Sequence, residues 1–381
     1  MDHLKPTDEK NVSESSLVNA STEREQIVKD EDQVPKQPKS EKLTLTVKQV
    51  KSFKEENSEY IGSQWTQIAF KSPKSYLVAT FYKGFLLIEN NITIDSGMLP
   101  DEVRLLQDII YVPCLNSYLI ASPNQLYRKD INDRPPYFYM NLDEGRREFA
   151  PLRYSNLNQS LIINKMGNYI SVINPKTRKV EIQMDVNQEK VDGIRIMDFR
   201  IFGEKENRLI SVMNNGLLSV YSLDFGRKRG VVAEYQVELI RQRSEFVSTL
   251  AVCHKGGSDQ VAVNIGCYPT QTSRIVLFQL TESNLVKLAS VDHGGESIPE
   301  ILALEPFERV KGNIHWVGLT RKFDGKALIY DYDLKSGSFE ELKDNRLNHL
   351  EYEPFHLHRQ GDEFYYTGSL GHLMSLTVTL G

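Results

Sequence analysis

Two histidines separated by one residue form the most suggestive metal-ligating pattern in this sequence. His356 and His358 stand in the segment "HLH", and His372 follows near the end of the chain. Because side chains alternate along a β-strand, both imidazoles of the pair would project from one face. Zinc sites need further ligands at matched spacing, and no acidic or thiol side chain supplies them here. The sequence therefore predicts no metal site and no other cofactor, and gives these histidines a structural or polar role.

A second chemistry-bearing segment is the basic run "FGRKRG", Phe225 to Gly230. Arg227, Lys228 and Arg229 place three cations in one turn, where they could bind a phosphate group or an acidic partner. Charges on a surface turn are also commonly just solvated. We keep anion binding by these residues as an alternative hypothesis.

No catalytic constellation is evident in the sequence. It contains neither a nucleophile elbow backed by a helix nor a glycine-rich phosphate loop that opens a helix. The acidic pair of "YDYD", Asp331 and Asp333, is predicted to lie on an alternating strand and to face solvent. We therefore predict that the chain is not an enzyme.

Composition restricts the compartment and the class of partner. The formal net charge of -5 argues against a broad nucleic-acid-binding surface. Cys114, Cys253 and Cys267 are odd in number and lack ligand spacing, which favours a reducing cytoplasmic or nuclear setting. No apolar run is long enough to cross a membrane and the first residues lack a secretion signal, so membrane-surface binding is only a minor alternative.

The elements that must position these residues recur along the chain. The stretch "GNYISVINPKTRKVEIQMDV", Gly167 to Val186, predicts two strands joined by a polar turn. A strand equivalent to the first of them recurs seven times, in segments that begin at Gly84, Asn124, Asn168, Gly216, Ser273, Lys326 and Gly371. The starting positions are 40 to 57 residues apart. That period is close to the roughly 40 to 50 residues of a four-stranded propeller blade.

The two ends of the chain supply an independent indication of ring closure. The last repeat stops after its third strand, at Gly381, while "KLTLTVKQV", Lys42 to Val50, is an unpaired alternating strand ahead of the first repeat. An N-terminal strand that completes the C-terminal blade removes the open sheet edges. In this respect residues 42–381 resemble the WD-repeat superfamily, although the Trp-Asp dipeptide is missing and "GH" occurs only at Gly371 and His372, at the wrong phase. The resemblance implies an all-β, seven-bladed β-propeller closed by an N-terminal strand, which fits seven units better than a two-sheet sandwich does.

Residues 1–41 differ from the rest of the chain. They contain no aromatic residue and mix acidic and basic side chains with Ser, Thr and Gln. Such a segment buries too little apolar surface to offset its ordering entropy. The sequence therefore predicts a disordered N-terminal tail, residues 1–41, followed by the propeller, residues 42–381.

The function predicted from this architecture is that of a non-catalytic protein-interaction scaffold, a subunit of a larger complex. In a propeller, the turns between second and third strands emerge on the same face as the links between blades. This places Lys83, Lys165, Arg321 and Lys322 on one side, which favours an acidic peptide or acidic protein surface as the partner.

Two other functions stay open. Propellers that bind phosphoinositides carry a paired-arginine "FRRG" motif, from which "FGRKRG" departs, so binding of an anionic membrane through Arg227 to Arg229 is the first alternative. A propeller hydrolase, which would gather carboxylates around its central channel, is the second. Nothing in the sequence places Asp198, Glu300 or Glu353 there.

Overall fold

The structure of the protein is a computed structural model, and it describes most of the chain after residue 42. The described residues are 43–52, 66–80, 84–103, 106–132, 135–142, 151–165, 169–186, 194–223, 235–240, 245–255, 258–267, 272–281, 284–292, 301–308, 312–320, 325–350, 352, 354–368 and 372–380. The predicted tail, residues 1–41, lies outside them.

The described residues form 28 β-strands and two short 3₁₀ helices, Pro113–Leu115 and Lys343–Asn345. In chain order the strands are β1 (Leu43–Ser52), β2 (Thr66–Ser72), β3 (Ser75–Thr80), β4 (Gly84–Glu89), β5 (Ile92–Met98), β6 (Asp108–Val112), β7 (Ser117–Ala121), β8 (Gln125–Asp130), β9 (Tyr137–Asn141), β10 (Leu152–Ser155), β11 (Ser160–Lys165), β12 (Tyr169–Ile173), β13 (Val180–Asp185), β14 (Ile196–Phe202), β15 (Arg208–Met213), β16 (Leu217–Ser222), β17 (Tyr235–Glu238), β18 (Glu245–Lys255), β19 (Ser258–Cys267), β20 (Thr272–Leu280), β21 (Leu285–Asp292), β22 (Ile301–Phe307), β23 (Asn313–Thr320), β24 (Ala327–Asp333), β25 (Phe339–Glu341), β26 (Pro354–Gln360), β27 (Glu363–Gly368) and β28 (His372–Leu380).

These strands pair into seven four-stranded antiparallel sheets, which we number as blades 1 to 7 along the chain. Blade 1 contains β2 to β5, and each following blade takes the next four strands, up to blade 6 with β22 to β25. Blade 7 contains β26, β27, β28 and β1. The first strands of neighbouring blades contact one another all the way round, from β2 and β6 to β26 and β2. The fold is a seven-bladed β-propeller, as predicted, and every predicted recurring strand is the third strand of its blade.

Burial differs between the inner and outer strands of a blade. All six residues of β3 are buried, because a second strand packs against the neighbouring blades on both of its faces. The outermost strand β5 instead alternates between exposed and half-buried residues. This difference explains why second strands are short apolar runs in the sequence, whereas fourth strands are weaker, alternating patterns.

The N-terminal strand closes the ring in the predicted way. β1 pairs antiparallel with β28 over its full length, from Leu43 opposite Leu380 to Ser52 opposite His372. Leu43 and Leu45 are buried in a cluster that joins blades 6 and 7, and Val47 packs against it. The alternation predicted for this strand therefore places its apolar side chains on one face, against the core.

Irregularities near the start of the first strands recur around the ring. β14, β18, β22 and β26 each have a shift of register, between Ile196 and Asp198 in the first of them. A β-bulge of this kind changes the direction of the side chains that follow it.

Among the described residues there is no helix with the length and apolar character needed to cross a bilayer.

Candidate functional site

Charged side chains from four blades meet at the axis of the propeller. Because the first strands surround this axis, their inward side chains line the central channel. Asp108 comes from β6, Arg153 from β10, and Glu305 from β22. Asp198 and Arg200 both come from β14, just after its bulge, and their spacing of two residues puts them on the same face of the strand.

These five residues, which we call the channel network, form a chain of alternating charge. Arg153 Nη2 lies 2.7 Å from Asp198 Oδ1, and Arg153 Nη1 lies 3.8 Å from Asp108 Oδ2. Arg200 continues the chain, with Nε 3.3 Å from Asp198 Oδ2 and Nη1 3.7 Å from Glu305 Oε1. Each guanidinium thus lies between two carboxylates, which offsets part of the cost of removing the charges from water.

Side chains on the first strands also donate hydrogen bonds to the backbone of the adjacent blade. Arg153 Nε donates to the carbonyl of Phe199 at 3.2 Å, and Arg200 Nε to that of Leu250 at 3.1 Å. Bonds of the same kind run from Ser248 Oγ to Ile301 O and from Arg359 Nη1 to Pro306 O. The polar lining of the channel therefore ties neighbouring blades together.

Burial changes the acidity of the carboxyl groups in the channel network. Burial raises the pKa of Asp108 to about 6, although Arg153 and two backbone N–H groups favour its charged form. Those N–H groups belong to Leu152, at 2.7 Å, and Ile109, at 2.8 Å. Burial likewise raises the pKa of Glu305, against the opposing effect of Arg200. The network therefore contains two acids that take up protons more readily than free carboxyls do.

The substitution Asp108→Asn should change how stability depends on pH. The folded-state pKa of about 6 lies above the ordinary 3.8, so this group stabilises the fold below the ordinary pKa and that contribution is lost as pH rises through 6. The difference in unfolding free energy between wild type and variant should therefore fall by about 2 kcal/mol from pH 4 to pH 6. Urea titrations across this range measure it, and the titrating groups that do not interact with Asp108 cancel in the difference.

A suitable control for this titration is Asp333→Asn, because hydrogen bonds from backbone N–H groups lower the pKa of the Asp333 carboxyl instead of raising it. Its difference curve should be shallow and of opposite sign. A difference between wild type and Asp108→Asn that stays constant with pH would contradict the account of Asp108.

A cavity of about 370 Å³ adjoins the channel network. Its polar lining comes from Arg153, Tyr154, Arg200, Glu206 and Glu305, and its apolar lining from Ile110, Ile201, Ala251 and Val252. The charged groups that it shares with the network are already engaged with one another. The cavity is thus a polar space whose charges serve contacts between blades.

The two histidines of "HLH" lie on β26 and face the same channel. Burial lowers the pKa of His356 to about 4 and that of His358 to about 3, with further lowering from Arg153. Their ring centroids are 6.3 Å apart. His372 instead stacks on Tyr352 at 3.8 Å. Within the described residues no three His, Cys, Asp or Glu side chains are grouped so that they could hold a metal ion.

Comparison with known proteins gives a fold and no family. No protein-family model matches the chain, and no curated protein matches it. A solved structure that resembles it is the crystal structure of BBS1N in complex with ARL6DN, soaked with mercury. The match has a TM-score of 0.54 and 14% sequence identity, and it covers 80% of this chain and 88% of that chain. The similarity is one of fold.

The predicted partner-binding and anion-binding residues cannot be located in the propeller. Lys83, Arg321 and Lys322 lie outside the described residues, as does the basic segment Arg227 to Arg229. Lys165 ends β11, but only its backbone is described. Both surfaces stay predictions.

Three acidic residues were considered for a propeller hydrolase. Asp198 lies in the channel, where it pairs with Arg153 and Arg200, and Glu300 and Glu353 lie outside the described residues.

The prediction that Asp331 faces solvent is wrong. Both carboxylate oxygens of Asp331 accept hydrogen bonds from Asn313 Nδ2, at 3.0 and 2.9 Å, and Oδ1 lies 3.3 Å from His315 Nε2. Burial raises the pKa of Asp331 to about 6. The strand does alternate, but the neighbouring strand β23 supplies polar partners that cover this face. Asp333, two residues later, is half-buried, and its carboxylate accepts hydrogen bonds from two backbone N–H groups of the following turn.

Sequence reasoning missed four residues of the channel network: Asp108, Arg153, Arg200 and Glu305. A signal for them exists, since each is a charged residue inside a first strand, as in "LRYS" and "DFRIF". First strands line the channel, so charged residues of opposite sign on the first strands of successive blades predict ion pairs between those blades. This pattern can be recognised only after the blade boundaries have been assigned, because only then is it known which strands are first strands.

Proposed function

We propose that this chain is a non-catalytic protein-interaction platform that acts as a subunit of a larger complex. The observation that carries the proposal is an apolar stripe on β5, the outermost strand of blade 1. Ile92, Ile94 and Met98 are 66%, 40% and 46% exposed. Single exposed apolar residues are ordinary, but three large ones along one strand are typical of a surface that a partner covers.

The position of the stripe in the sheet strengthens this proposal. Among the described strands β5 pairs only with β4, so its outer backbone edge carries N–H and C=O groups that no described strand uses. An apolar edge strand is a template for pairing with another chain, and proteins usually protect such edges. A partner that covers β5 would bury its apolar side chains and use this edge.

Two further observations support a platform. The channel network and the bonds between blades hold the ring together from within, which leaves the periphery and the turn faces as the surfaces available for recognition. In addition, BBS1N, which has a similar fold, was crystallised in complex with ARL6DN. A propeller of this kind is therefore suited to binding another protein.

Replacing Ile92 and Ile94 by Glu should abolish retention of the partner. Tagged wild-type chain, captured from its own cells, is expected to retain one protein in stoichiometric amount, and the Ile92→Glu/Ile94→Glu variant is expected to lose it. The matched control is Val286→Glu, because Val286 is 46% exposed on β21, the outermost strand of blade 5. Equal retention by both variants, at unchanged melting temperature, would refute the role of β5.

A further inference from the structure

Two turns of the propeller have the same hydrogen-bonding pattern. In blade 3, Asn174 Oδ1 accepts from the N–H groups of Lys176 and Thr177, at 3.0 and 3.1 Å. In blade 6, Asp333 Oδ1 accepts in the same way from the N–H groups of Lys335 and Ser336, at 2.7 and 3.4 Å. Both turns are closed by a backbone N–H bond back to the first residue, at 2.7 Å in blade 3 and 2.9 Å in blade 6. They are thus equivalent connections between a third and a fourth strand.

The two turns differ at the residue that adopts a left-handed backbone. This residue is Gly337 in blade 6, with φ of 70°, and Arg178 in blade 3, with φ of 62°. Glycine adopts this conformation without strain, whereas an L side chain does so at a cost. The Arg178 guanidinium lies 4.7 Å from the ring centroid of Tyr139, which offsets part of that cost. An arginine at a position that suits glycine is a reason to ask what its side chain binds beyond the turn itself.

Arg178 belongs to a group of three exposed cations. Lys176, Arg178 and Lys179 are all exposed on this turn, and none of them forms a described ion pair. We call these three residues the basic turn. The equivalent blade 6 turn carries a single cation, Lys335. The hydrogen-bonding pattern of the turn therefore does not require three cations.

A groove adjoins the basic turn. It has a volume of about 330 Å³ and is lined by Pro113, Cys114, Tyr154, Asn156, Gln159 and Lys176. Lys176 thus belongs to both the turn and the groove. Leu157, on the same edge of blade 3, is exposed. The surface combines cations at one end with a pocket large enough for a side chain.

We propose that the basic turn and this groove bind an acidic segment of a partner protein. Carboxylates of the segment contact Lys176, Arg178 and Lys179, and an adjoining side chain enters the groove. A phosphate headgroup would satisfy the cations but leave the groove empty, which favours a peptide over a membrane. This inference rests on the proposed function and assigns it a second contact surface, distinct from β5.

The test uses the full chain and a fluorescent peptide of alternating glutamate and leucine residues, measured by anisotropy. Wild type should bind the peptide, and binding should weaken as salt is added. The triple variant Lys176→Glu/Arg178→Glu/Lys179→Glu should lower affinity by roughly tenfold or more, because like charges then face the peptide. Arg178→Gly, which copies the blade 6 turn, should lower affinity by a smaller factor while keeping the melting temperature.

The matched control is Lys335→Glu, which reverses a charge on the equivalent turn of blade 6 and should leave affinity unchanged. The proposal is overturned if wild type does not bind the peptide, or if Lys335→Glu weakens binding as much as the triple variant. It is also overturned if a glutamine and leucine peptide binds equally well, or if phosphoinositide vesicles bind through the basic turn and the peptide does not. In all these cases partner capture through β5 is a separate result, so the proposed function can stand without this surface.

Discussion

A protein that lacks residues 1–52 is expected to lose cooperative unfolding and to aggregate, whereas one that lacks only residues 1–41 is expected to fold. The longer deletion removes β1 and leaves β28 as an open edge in blade 7. It also removes Leu43 and Leu45 from the cluster that joins blades 6 and 7. An exposed apolar edge strand pairs with other copies, which produces aggregation. Thermal unfolding and light scattering of both proteins measure the effect.

Point substitutions on β1 test whether its buried side chains stabilise the closed ring, without deleting any part of the chain. Leu45 is 6% exposed, so Leu45→Ala should lower the free energy of unfolding by about 2–5 kcal/mol, the usual cost of truncating a buried leucine. Val50, 42% exposed on the same strand, is the control, and Val50→Ala should cost under about 0.5 kcal/mol. If the two deletions melt alike, or the two substitutions cost the same, β1 does not close the ring.

The fold could be predicted from the sequence because its signals are local. Each third strand is an apolar run after a turn, as at Gly84 or Lys326, and the turns recur at blade-length intervals. The displaced strand at Leu43 was detectable because it alternates cleanly and the last repeat lacks a fourth strand. Periodicity along the chain is thus enough to define blades and their closure.

The channel network could not be predicted in the same way. Arg153 and Asp198 are 45 residues apart and meet only because the ring brings two first strands side by side. The bulge before Asp198 changes the direction of its side chain, and no residue type announces it. Asp331 shows the same limit, since its partners Asn313 and His315 lie on another strand. Contacts between strands depend on register, which a single sequence does not fix.

Removing Arg153 from the channel network should be among the most destabilising single substitutions. Arg153→Met deletes the guanidinium between Asp108 and Asp198, together with its hydrogen bond to the Phe199 carbonyl. Breaking a buried pair from one side costs roughly 3–5 kcal/mol, because the remaining charge has lost its partner. The Arg153 side chain is 24% exposed, which places the expected loss near the lower end, at about 3 kcal/mol. Urea denaturation at neutral pH measures this loss.

Two comparisons decide whether the loss comes from the network. Lys71→Met removes a more exposed pair with Glu89, with N and O 3.4 Å apart, and should cost under about 1 kcal/mol. Adding Asp198→Asn to Arg153→Met should recover part of the stability. In Arg153→Met the Asp198 carboxylate has lost one of its two arginine partners, and the second substitution removes that charge. If the two substitutions are additive, or Lys71→Met costs as much, the arginines do not hold the blades together through these carboxylates.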